Sequence, residues 1–411
     1  MPPSPIKTQC CIAGGGPAGL MLGYLLARAG IDVHVLEKHE DFLRDFRGDT
    51  IHPSTLELMH ELGLLDAFLQ LPHQKVKQLV AQIGADRVTI ADFSHVPTRC
   101  KFIALMPQWD FLDFIADQGR RYATFHLHMR TQAAHLIERD GAVRGLTATS
   151  PEGELEFRAD LVVGADGRRS ALRSEAGLAV LDLGAPMDVL WFRLSRKESD
   201  DAATIGHAEA GRLFIMLNRG SYWQCAYVIR KDGFAALQQR GLQAFRDDVA
   251  FMSPFVRDRL DEIAGWDDVK LLTVAVDRLP VWYKPQLLFI GDAAHAMSPI
   301  GGVGINLAIQ DAVAAANLLY RPLAAGAPAP EDLRAVQRRR EWPTRVTQRL
   351  QIAIQNRMVG PLLLGRERPR APWPVKLFGW FPRLRRLPAR LVGIGVRPEH
   401  IETPQVPPTN P

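Results

Sequence analysis

Residues 8–37 decide the fold, and they read TQCCIAGGGPAGLMLGYLLARAGIDVHVLE. The apolar run at 8–13 is typical of a buried strand, residues 14–19 supply a glycine-rich turn, and residues 20–29 have the apolar content of a packed helix. A glycine ends that helix, and residues 31–36 alternate as a second strand does. This order of strand, turn, helix and strand predicts the first unit of a dinucleotide-binding domain.

The turn between the first strand and the helix has the spacing G-x-G-x-x-G. Gly14 makes the tight turn, Gly16 lets the backbone approach a pyrophosphate, and Gly19 packs the helix on the strand. Pro17 and Ala18 open the helix, whose first N–H groups and positive dipole end favour phosphate. We therefore predict that these five residues bind the phosphates of a dinucleotide.

An acidic residue closes the second strand. Glu37 lies 18 positions after Gly19, near the place where the fingerprint has a carboxylate on a ribose hydroxyl. Glu37 and the adjacent Lys38 are therefore predicted cofactor-binding residues. A structural glycine turn with a solvated Glu37 is the alternative interpretation.

The composition is that of an ordinary globular protein. The chain has 411 residues, a formal charge of +5, 47% apolar and 23% charged residues, so nucleic acid is not an expected partner. Four cysteines without paired spacing indicate a reducing cytoplasm. The apolar run at 10–29 is similar to a signal peptide, but glycines and Pro17 interrupt it, and no membrane span is predicted. The predicted location is cytoplasmic.

The rest of the chain alternates between two kinds of pattern. Residues 57–69 and 109–121 are predicted helices, and the Asp140-Gly141 dipeptide predicts a hairpin within 124–149. Strand patterns dominate from 181 to 280, at 189–194, 213–217, 222–229 and 269–276, with a helical insert at 234–260. The nucleotide-type pattern then returns, with a buried strand at 287–290, a glycine-rich loop and a helix at 306–320.

Two further motifs carry a resemblance to a known family. The first is Gly164-Ala165-Asp166-Gly167, after a short buried strand. The second is Gly291-Asp292-Ala293-Ala294-His295, followed by Pro299 and by Gly301-Gly302-Val303-Gly304-Ile305-Asn306. With the first glycine turn, these motifs resemble those of the FAD-dependent aromatic hydroxylases typified by para-hydroxybenzoate hydroxylase. The resemblance covers residues 6–320.

The resemblance implies an α/β fold class: a Rossmann-like FAD-binding domain with an inserted antiparallel-sheet substrate domain and a helical C-terminal segment. The predicted FAD-binding domain comprises residues 1–75, 106–180 and 281–325. The predicted substrate domain comprises the strands of 76–105 and the sheet of 181–280. Residues 326–411 form the helical and basic C-terminal segment.

The resemblance also implies roles for single residues. Asp292 accepts a hydrogen bond from the ribityl chain, residues 301–306 face the N1–C2=O edge of the flavin, and Pro299 borders the substrate space. Arg47 is expected at the phosphate or ribityl region, Gln108 at the ribityl hydroxyls, and the backbone of Met129 at the adenine. The predicted FAD-binding residues are Gly14, Gly16, Pro17, Ala18, Gly19, Glu37, Lys38, Arg47, Gln108, Met129, Asp166, Gly167, Asp292, Pro299, Gly301, Gly302, Gly304, Ile305 and Asn306.

Catalytic side chains are harder to identify, because a flavin supplies the reactive group itself. His52, Pro299 and Tyr222 are candidates, and His295 lies inside the third motif, although a histidine in a motif is more often a packing or capping residue. Substrate contacts are expected from one face of the middle sheet, among Trp191, Arg193, Met216, Tyr222 and Trp223. No metal site is predicted, since paired Cys/His spacing and H-E-x-x-H are both missing from the sequence.

The implied function is an FAD-dependent monooxygenase that hydroxylates an aromatic or quinol-like apolar substrate with NAD(P)H and O2 through a C4a-hydroperoxyflavin. One G-x-G-x-x-G implies that NADPH or NADH binds transiently, without its own domain. One alternative is an FAD-dependent reductase or dehydrogenase of the same fold without oxygen transfer. Another is a non-catalytic binding protein on this fold.

The C-terminal segment is unusually basic. Between Arg357 and Arg397 the sequence has ten Lys or Arg residues and one acidic residue, Glu367, together with Trp373 and other aromatics. It is interpreted either as a lid or tail packed across the protein, or as a peripheral contact with an anionic membrane surface.

Overall fold

The computed structural model describes residues 4–43, 50–200 and 205–409. The glycine-rich stretch forms the predicted strand, helix and strand, with the two strands parallel and Cys10 opposite Val33. Residues 10–13 are buried because the first strand is central in its sheet and helices pack against it. These elements are β1 (Ile6–Ala13), α1 (Pro17–Arg28) and β2 (Val33–Leu36).

The next segment contains short elements that connect the two domains. The single helix predicted over 57–69 is wrong, because Gly63, with φ of 71°, interrupts it and leaves two helices. The elements are β3 (Thr50–Ile51), α2 (Pro53–Glu61), α3 (Leu65–Phe68), β4 (Gln74–Val76), β5 (Gln78–Ile83), β6 (Asp86–Asp92), β7 (Ile103–Leu105), α4 (Gln108–Gly119) and β8 (Phe125–His128).

A hairpin follows and returns the chain to the centre of the domain. Asp140 and Gly141 have φ of 54° and 75°, the left-handed pair that a two-residue hairpin turn needs, so this prediction is confirmed. The elements are β9 (Gln132–Arg139), β10 (Ala142–Ser150), β11 (Gly153–Gly164) and α5 (Ala171–Glu175).

The middle of the chain is mainly strand, as predicted. The strand predicted over 269–276 ends at Leu272, because side chains take the backbone groups of Val274: its N–H donates to Asp188 and its carbonyl accepts from Lys231. The elements are β12 (Leu181–Asp182), β13 (Met187–Ser195), β14 (Ile205–Glu209), β15 (Arg212–Asn218), β16 (Tyr222–Arg230), α6 (Phe234–Gln239), α7 (Leu242–Met252) and β17 (Lys270–Leu272).

The last part of the chain completes the first domain and then becomes helical. Its elements are β18 (Asp277–Arg278), β19 (Tyr283–Lys284), β20 (Leu287–Phe289), β21 (His295–Ala296), α8 (Gly304–Ala325), α9 (Pro330–Ile354), α10 (Gly360–Leu364), α11 (Trp373–Trp380) and α12 (Arg386–Gly393).

Two large sheets organise these elements. In the first, β20, β11, β1, β2 and β8 are neighbours in this order and run parallel, while β19 and the β9–β10 hairpin are antiparallel additions. The second has the order β17-β13-β16-β15-β14-β5-β6 and is antiparallel except at β14–β5. The predicted fold class, an α/β Rossmann-like domain with an inserted antiparallel sheet, is confirmed.

A small third sheet joins the two domains. Its order is β3-β7-β4, so β7 pairs with residues 50–51 on one side and with β4 on the other, and neither β4 nor β7 pairs with the substrate sheet. Only β5 and β6 of that region enter the large antiparallel sheet.

Helix α8 lies in the core of the FAD-binding domain. Residues 300–325 are the one stretch in the described ranges that is long and apolar enough to cross a membrane. Its most apolar window is 72% buried, and the helix packs against α1 and α9, as the core helix of a globular domain does.

The C-terminal segment packs on both domains. Val375 of α11 contacts the cluster of Ile83 and Val88 on the substrate sheet, and Ala389 of α12 packs with Phe93. Residues 397–409 then cross the helices of the FAD-binding domain in extended form.

Candidate active site

The first glycine turn leaves open space at the start of α1. Gly14 has φ of 109°, and a Cβ there would overlap the carbonyl oxygen of Ala165 in the second motif. A Cβ on Gly19 would overlap the carbonyl of Gly14, so helix and strand approach as closely as glycine allows. At Gly16 a Cβ would meet nothing within 4 Å. The open side of the turn is therefore where a pyrophosphate fits against the N-terminus of α1.

Glu37 holds the adenosine end of the site together. Its Oε2 accepts a hydrogen bond from the N–H of Gly15 at 3.1 Å, and its Oε1 accepts one from the N–H of His39 at 3.0 Å. Its own N–H donates to the carbonyl of His128 at 2.8 Å, at the end of β8. The carboxylate thus lies between the glycine turn and the neighbouring strand end, where a ribose hydroxyl is expected.

The other residues predicted at this end differ in exposure. Lys38 is exposed, and Met129 is half-buried against the domain core. The carbonyl of Met129 accepts a hydrogen bond from the Thr131 hydroxyl at 3.0 Å. That the backbone of Met129 contacts the adenine stays a prediction.

The second motif contains a buried oxygen without a partner. Asp166 Oδ2 accepts from the N–H of Ala171 at 3.0 Å, but Oδ1 is buried and has no hydrogen-bond partner among the described residues. Burial raises the pKa of Asp166. The next residue, Gly167, has φ of 85° and open space beside it. A hydroxyl of FAD would supply the missing donor, so this loop fits the cofactor.

Arg168 links the second motif to the third. Its Nε donates to Asp292 Oδ2 at 3.1 Å, and both side chains are about one-third exposed. Asp292 follows β20 in a short 3-10 turn, and its remaining oxygen can accept from a ribityl hydroxyl. The sequence analysis did not select Arg168, although its position directly after Gly164-Ala165-Asp166-Gly167 was a usable signal.

The glycine-rich loop of the third motif has a backbone that few residues adopt. Gly301 and Gly302 have φ of 78° and 62°, and a Cβ on Gly302 would overlap the side chain of Thr50. The Thr50 hydroxyl donates to the carbonyl of Gly302 at 2.9 Å. This contact fixes the loop before α8, whose first N–H groups have no partners within the helix.

Asn306 uses its side chain to hold the loop. Its Oδ1 accepts from the N–H of His52 at 2.9 Å and from the Thr55 hydroxyl at 2.8 Å, and its Nδ2 donates to the carbonyl of Thr50 at 3.0 Å. The side chain is thereby occupied, and the adjacent Ile305 is buried in the core. Any contact of these two residues with the flavin would therefore come from their backbone N–H groups at the start of α8.

His52 is buried at the start of α2. Its Nδ1 lies 2.7 Å from the carbonyl of Val392 in α12, which fixes the proton on Nδ1, and Nε2 has no partner among the described residues. Burial lowers the pKa of His52 to about 4. The imidazole is therefore neutral near pH 7. Its proposed proton-transfer role stays a prediction.

His295 belongs to a buried ionic network. Its Nε2 lies 2.6 Å from Asp311 Oδ2 of α8, and Asp311 also accepts from Arg340 Nε at 3.0 Å. Although burial opposes ionisation, His295 and Arg340 hold the pKa of Asp311 below its usual value. Arg340 donates in turn to Glu399. The contacts of His295 are those of a packing residue in the third motif.

The remaining predicted site residues have separate positions. Gln108 is the half-buried first residue of α4, and Pro299 is a half-buried residue directly before the short 3-10 turn that contains Gly301. Gly304 begins α8. Arg47 lies outside the described residues.

One face of the substrate sheet is directed toward the glycine-rich loop of the third motif (residues 299–303), which we call the flavin loop. Trp191 and Ile300 pack against the same buried cluster, whereas Met216 and Trp223 are buried on the opposite side of the sheet against α7. Because side chains alternate along a strand, Arg193 lies on the face of Trp191, and the guanidinium of Arg193 lies 5.1 Å from the Tyr222 ring centroid. This face therefore has an apolar part and an aromatic, cationic end.

The small sheet of β3, β7 and β4 lies between the flavin loop and the end of the substrate sheet that contains Arg193 and Tyr222. The turn between β15 and β16 contains Gly220, where a Cβ would lie 3.5 Å from Gln74 of β4. β4 and β3 flank β7, and Thr50 of β3 bonds to Gly302. The Tyr222 end of the substrate sheet is thus connected to the flavin loop through three adjacent strands.

Comparison with known proteins gives the same assignment. Residues 7–350 match the model of the FAD binding domain family. The chain is 32% identical over 355 residues to a 6-methylpretetramide 4-monooxygenase of Streptomyces rimosus, which covers 86% of this chain and 84% of the relative.

Solved structures agree in fold. An anhydrotetracycline hydroxylase from Streptomyces rimosus has a TM-score of 0.74 at 23% identity, covering 96% of this chain and 77% of that one. A probable FAD-dependent monooxygenase from Pseudomonas aeruginosa has a TM-score of 0.73 at 21% identity, covering 87% of this chain and 98% of that one. The chain therefore belongs to the FAD-binding-domain family of FAD-dependent monooxygenases, to which para-hydroxybenzoate hydroxylase also belongs.

Proposed function

We propose that this monooxygenase hydroxylates a phenol with several fused rings, using NAD(P)H and O2 through a C4a-hydroperoxyflavin. The observation that carries the proposal is the face of the substrate sheet containing Trp191, which is apolar near Ile300 and ends at Arg193 and Tyr222. The relative that is 32% identical acts, by its name, on 6-methylpretetramide, which supports a polyketide-like substrate over a small benzoate.

Each part of the protein has a physical task in this reaction. The glycine turn and Glu37 bind the adenosine and phosphate end, and the second and third motifs bind the ribityl end. The N-terminus of α8 stabilises negative charge on the flavin edge. Bound FAD supplies the oxygen-transfer chemistry. The apolar face around Trp191 excludes water and orients the rings of the substrate. This orientation matters because a substrate misplaced by about 1 Å reacts much more slowly.

The polar end of the face orients the substrate hydroxyl. An arginine stacked on a tyrosine presents a fixed cation, and a phenolate oxygen is the anion that a multi-ring phenol offers. Arg219 donates to Gln224 at 2.8 Å beside Arg193 and Tyr222, which adds a second cation at this end of the face.

The test is stopped-flow absorbance of the holoenzyme, reduced anaerobically by NADPH or NADH and then mixed with O2. The substrates are a tetracyclic phenol, a quinolone and para-hydroxybenzoate. We expect a transient band of the hydroperoxide type, with the fastest decay and a hydroxylated product for the tetracyclic phenol. Reoxidation with stoichiometric hydrogen peroxide for every substrate would instead support the reductase alternative.

A pair of arginine variants tests the orientation of the substrate. Arg193→Gln removes the cation beside Tyr222, while Arg230→Gln removes an exposed arginine at the opposite end of β16. We expect Arg193→Gln to raise KM for the phenol about tenfold or more and to increase uncoupled peroxide formation. Equal effects of the two substitutions would contradict the orientation proposed for the phenol.

We also propose that α11 and α12 contact an anionic membrane surface. Trp373, Trp380 and Leu387 are 72%, 68% and 66% exposed although they are large apolar residues. Arginines surround them, and Lys376 already pairs with Asp86 of the substrate sheet. Exposed tryptophans beside arginines are the combination that binds the interface of anionic lipids. The packing of both helices on the sheet also fits the alternative of a lid.

Vesicle flotation distinguishes the two interpretations. We expect the holoenzyme to float with vesicles containing phosphatidylserine and not with phosphatidylcholine alone, and the binding to fall in Trp373→Ser/Trp380→Ser. Trp342→Ser is the matched control, because Trp342 is also exposed (54%) but lies on α9. Failure of the unmodified protein to float with either vesicle would leave the lid as the interpretation.

A further inference from the structure

Three histidines and an aspartate, none of them assigned to FAD, converge at the edge of the parallel sheet. His34 of β2 is the register partner of His126 of β8, so their side chains lie on the same face. The two rings stack with centroids 4.3 Å apart. Asp32 directly precedes β2, and its carboxylate lies 3.0 Å from His126 Nε2 and 3.9 Å from His34 Nε2.

The donor atoms of this cluster are close enough to share one ion. One atom each from Asp32, His34 and His126 lies within 4.8 Å of the other two. A metal with ligands at about 2.0–2.2 Å places its donor atoms about 3–4 Å apart, so small side-chain rotations suffice. The side chains of His126 and Asp32 are 41% and 34% exposed, so an ion and its water ligands can enter from solvent.

The cluster also has the supporting contacts that metal ligands need. His34 Nδ1 lies 2.8 Å from His128 Nε2, which leaves Nε2 of His34 directed at Asp32. A second partner on the far ring nitrogen is the usual way in which a metal-binding histidine is oriented. Phe157, with its ring centroid 5.5 Å from that of His34, closes the inner side.

The backbone of Asp32 is fixed by β1. Its N–H donates to Gln9 Oε1 at 2.8 Å, and its carbonyl accepts from Cys10 N–H at 3.1 Å and from the Thr8 hydroxyl at 2.9 Å. Only the side chain of Asp32 has to move when an ion binds. The carboxylate is therefore already placed beside the two imidazoles.

From this geometry we propose a zinc site formed by Asp32, His34 and His126, with His128 as the positioning residue for His34. Two imidazoles and one carboxylate are a ligand set that suits a divalent first-row metal, with water in the open position. No metal site is predicted from the sequence, because paired Cys/His spacing and H-E-x-x-H are both missing from it. Here the spacings are Asp-x-His and His-x-His, which place side chains on one face of a strand.

The role of this ion is to fasten β2 to β8. His128 directly precedes Met129, and its carbonyl accepts from the N–H of Glu37. The metal site is therefore next to the ends of β2 and β8 at which the adenosine part of FAD is predicted to bind. An ion that joins the two strands holds both strand ends at the adenine. Occupancy by Zn²⁺ is therefore expected to slow FAD release and to raise the melting temperature.

The test uses the untagged, metal-stripped holoenzyme, dialysed against Zn²⁺ or titrated with Co²⁺. We expect one tightly held Zn²⁺ per chain, and visible Co²⁺ bands of a nitrogen and oxygen site that saturate at one equivalent. His126→Gln is expected to weaken binding about a hundredfold and His128→Gln about tenfold, since losing a ligand costs more than losing its orienting partner. FAD release is followed by flavin fluorescence with and without Zn²⁺.

The matched control is His135→Gln. His135 is an exposed histidine of β9, which pairs with β10 and not with β2 or β8, and its Nδ1 lies 3.4 Å from Glu175 Oε1 of α5. The His135→Gln variant should bind Zn²⁺ as the unmodified enzyme does. Binding below one equivalent in the unmodified enzyme, or equal affinity in His126→Gln and His135→Gln, would overturn the proposal.

Discussion

Replacement of Arg340 by leucine tests the buried network of α8, α9 and the C-terminal residues. Arg340 is 1% exposed and donates to Asp311 at 3.0 Å and to Glu399 at 3.1 Å. Arg340→Leu keeps much of the side-chain volume but leaves two buried carboxylates with one fewer cation. Breaking a buried ion pair in this way costs about 3–5 kcal/mol.

Arg339→Leu is the comparison, because Arg339 is the next residue and contacts the same Glu399 carboxylate. The side chain of Arg339 is 35% exposed, and Glu399 still forms its ion pair with Arg340 when Arg339 is replaced. We expect a loss of about 1 kcal/mol or less, as for a partly solvated pair. The structure therefore predicts a difference of at least about 2 kcal/mol between adjacent arginines.

Urea unfolding followed by circular dichroism and flavin fluorescence measures this difference, with FAD held at one excess concentration because ligand binding stabilises the folded state. In a double-mutant cycle, Glu399→Gln should recover part of the loss in Arg340→Leu, since it removes one of the two buried carboxylates that have lost a cation. If both arginine variants unfold at the same urea concentration, the argument from buried charge is refuted.

Two further predictions concern the flavin loop. Gly302→Ala should weaken FAD binding at least tenfold, because Gly302 has φ of 62° and its Cβ would overlap Thr50. Gly379→Ala, in α11 with no atom within 4 Å of the added Cβ, should leave the fluorescence titration unchanged. Burial lowers the pKa of His52 to about 4 in the folded protein, from 6.5 in the unfolded chain. The neutral, buried imidazole therefore contributes its full share to the stability of the folded state above pH 6.5, and this contribution is lost as the pH falls to 4. His52→Gln should remove about 3 kcal/mol of that pH dependence of urea unfolding, and an unchanged dependence would contradict it.

Much of the nucleotide-binding domain could be predicted from local sequence. Two turns require backbone conformations or close contacts that few other residues allow: the glycine turn from Gly14 to Gly19 and the Asp140-Gly141 turn. A few residues therefore determine the local structure at each of them. The helix break at Gly63 was missed because an isolated glycine is also tolerated inside helices. The side of the substrate sheet that faces the flavin loop depends on long-range packing and could not be predicted.

Contacts between distant segments were the main omission. Arg168 bonds Asp292 across 124 positions, and Arg340 bonds Glu399 across 59. A single sequence contains no signal for the pairing itself: the position of Arg168 after the second motif could have marked it as a site residue, but it does not identify Asp292 as its partner. The predicted roles of Gln108, Met129 and the flavin-loop N–H groups rest on the family resemblance and stay predictions.

The extended residues 397–409 make the first helix depend on a segment 375 positions further along the sequence. Arg28, in the first helix, donates to the carbonyls of Thr403 and Pro404, and its own carbonyl accepts from the N–H of Val406. Ribosomes synthesise Arg28 well before these partners, so the nucleotide-binding domain cannot complete this part of its outer surface until residues 403–406 have been translated. Removal of residues 397–409 should therefore destabilise a domain whose glycine motif lies at residues 14–19.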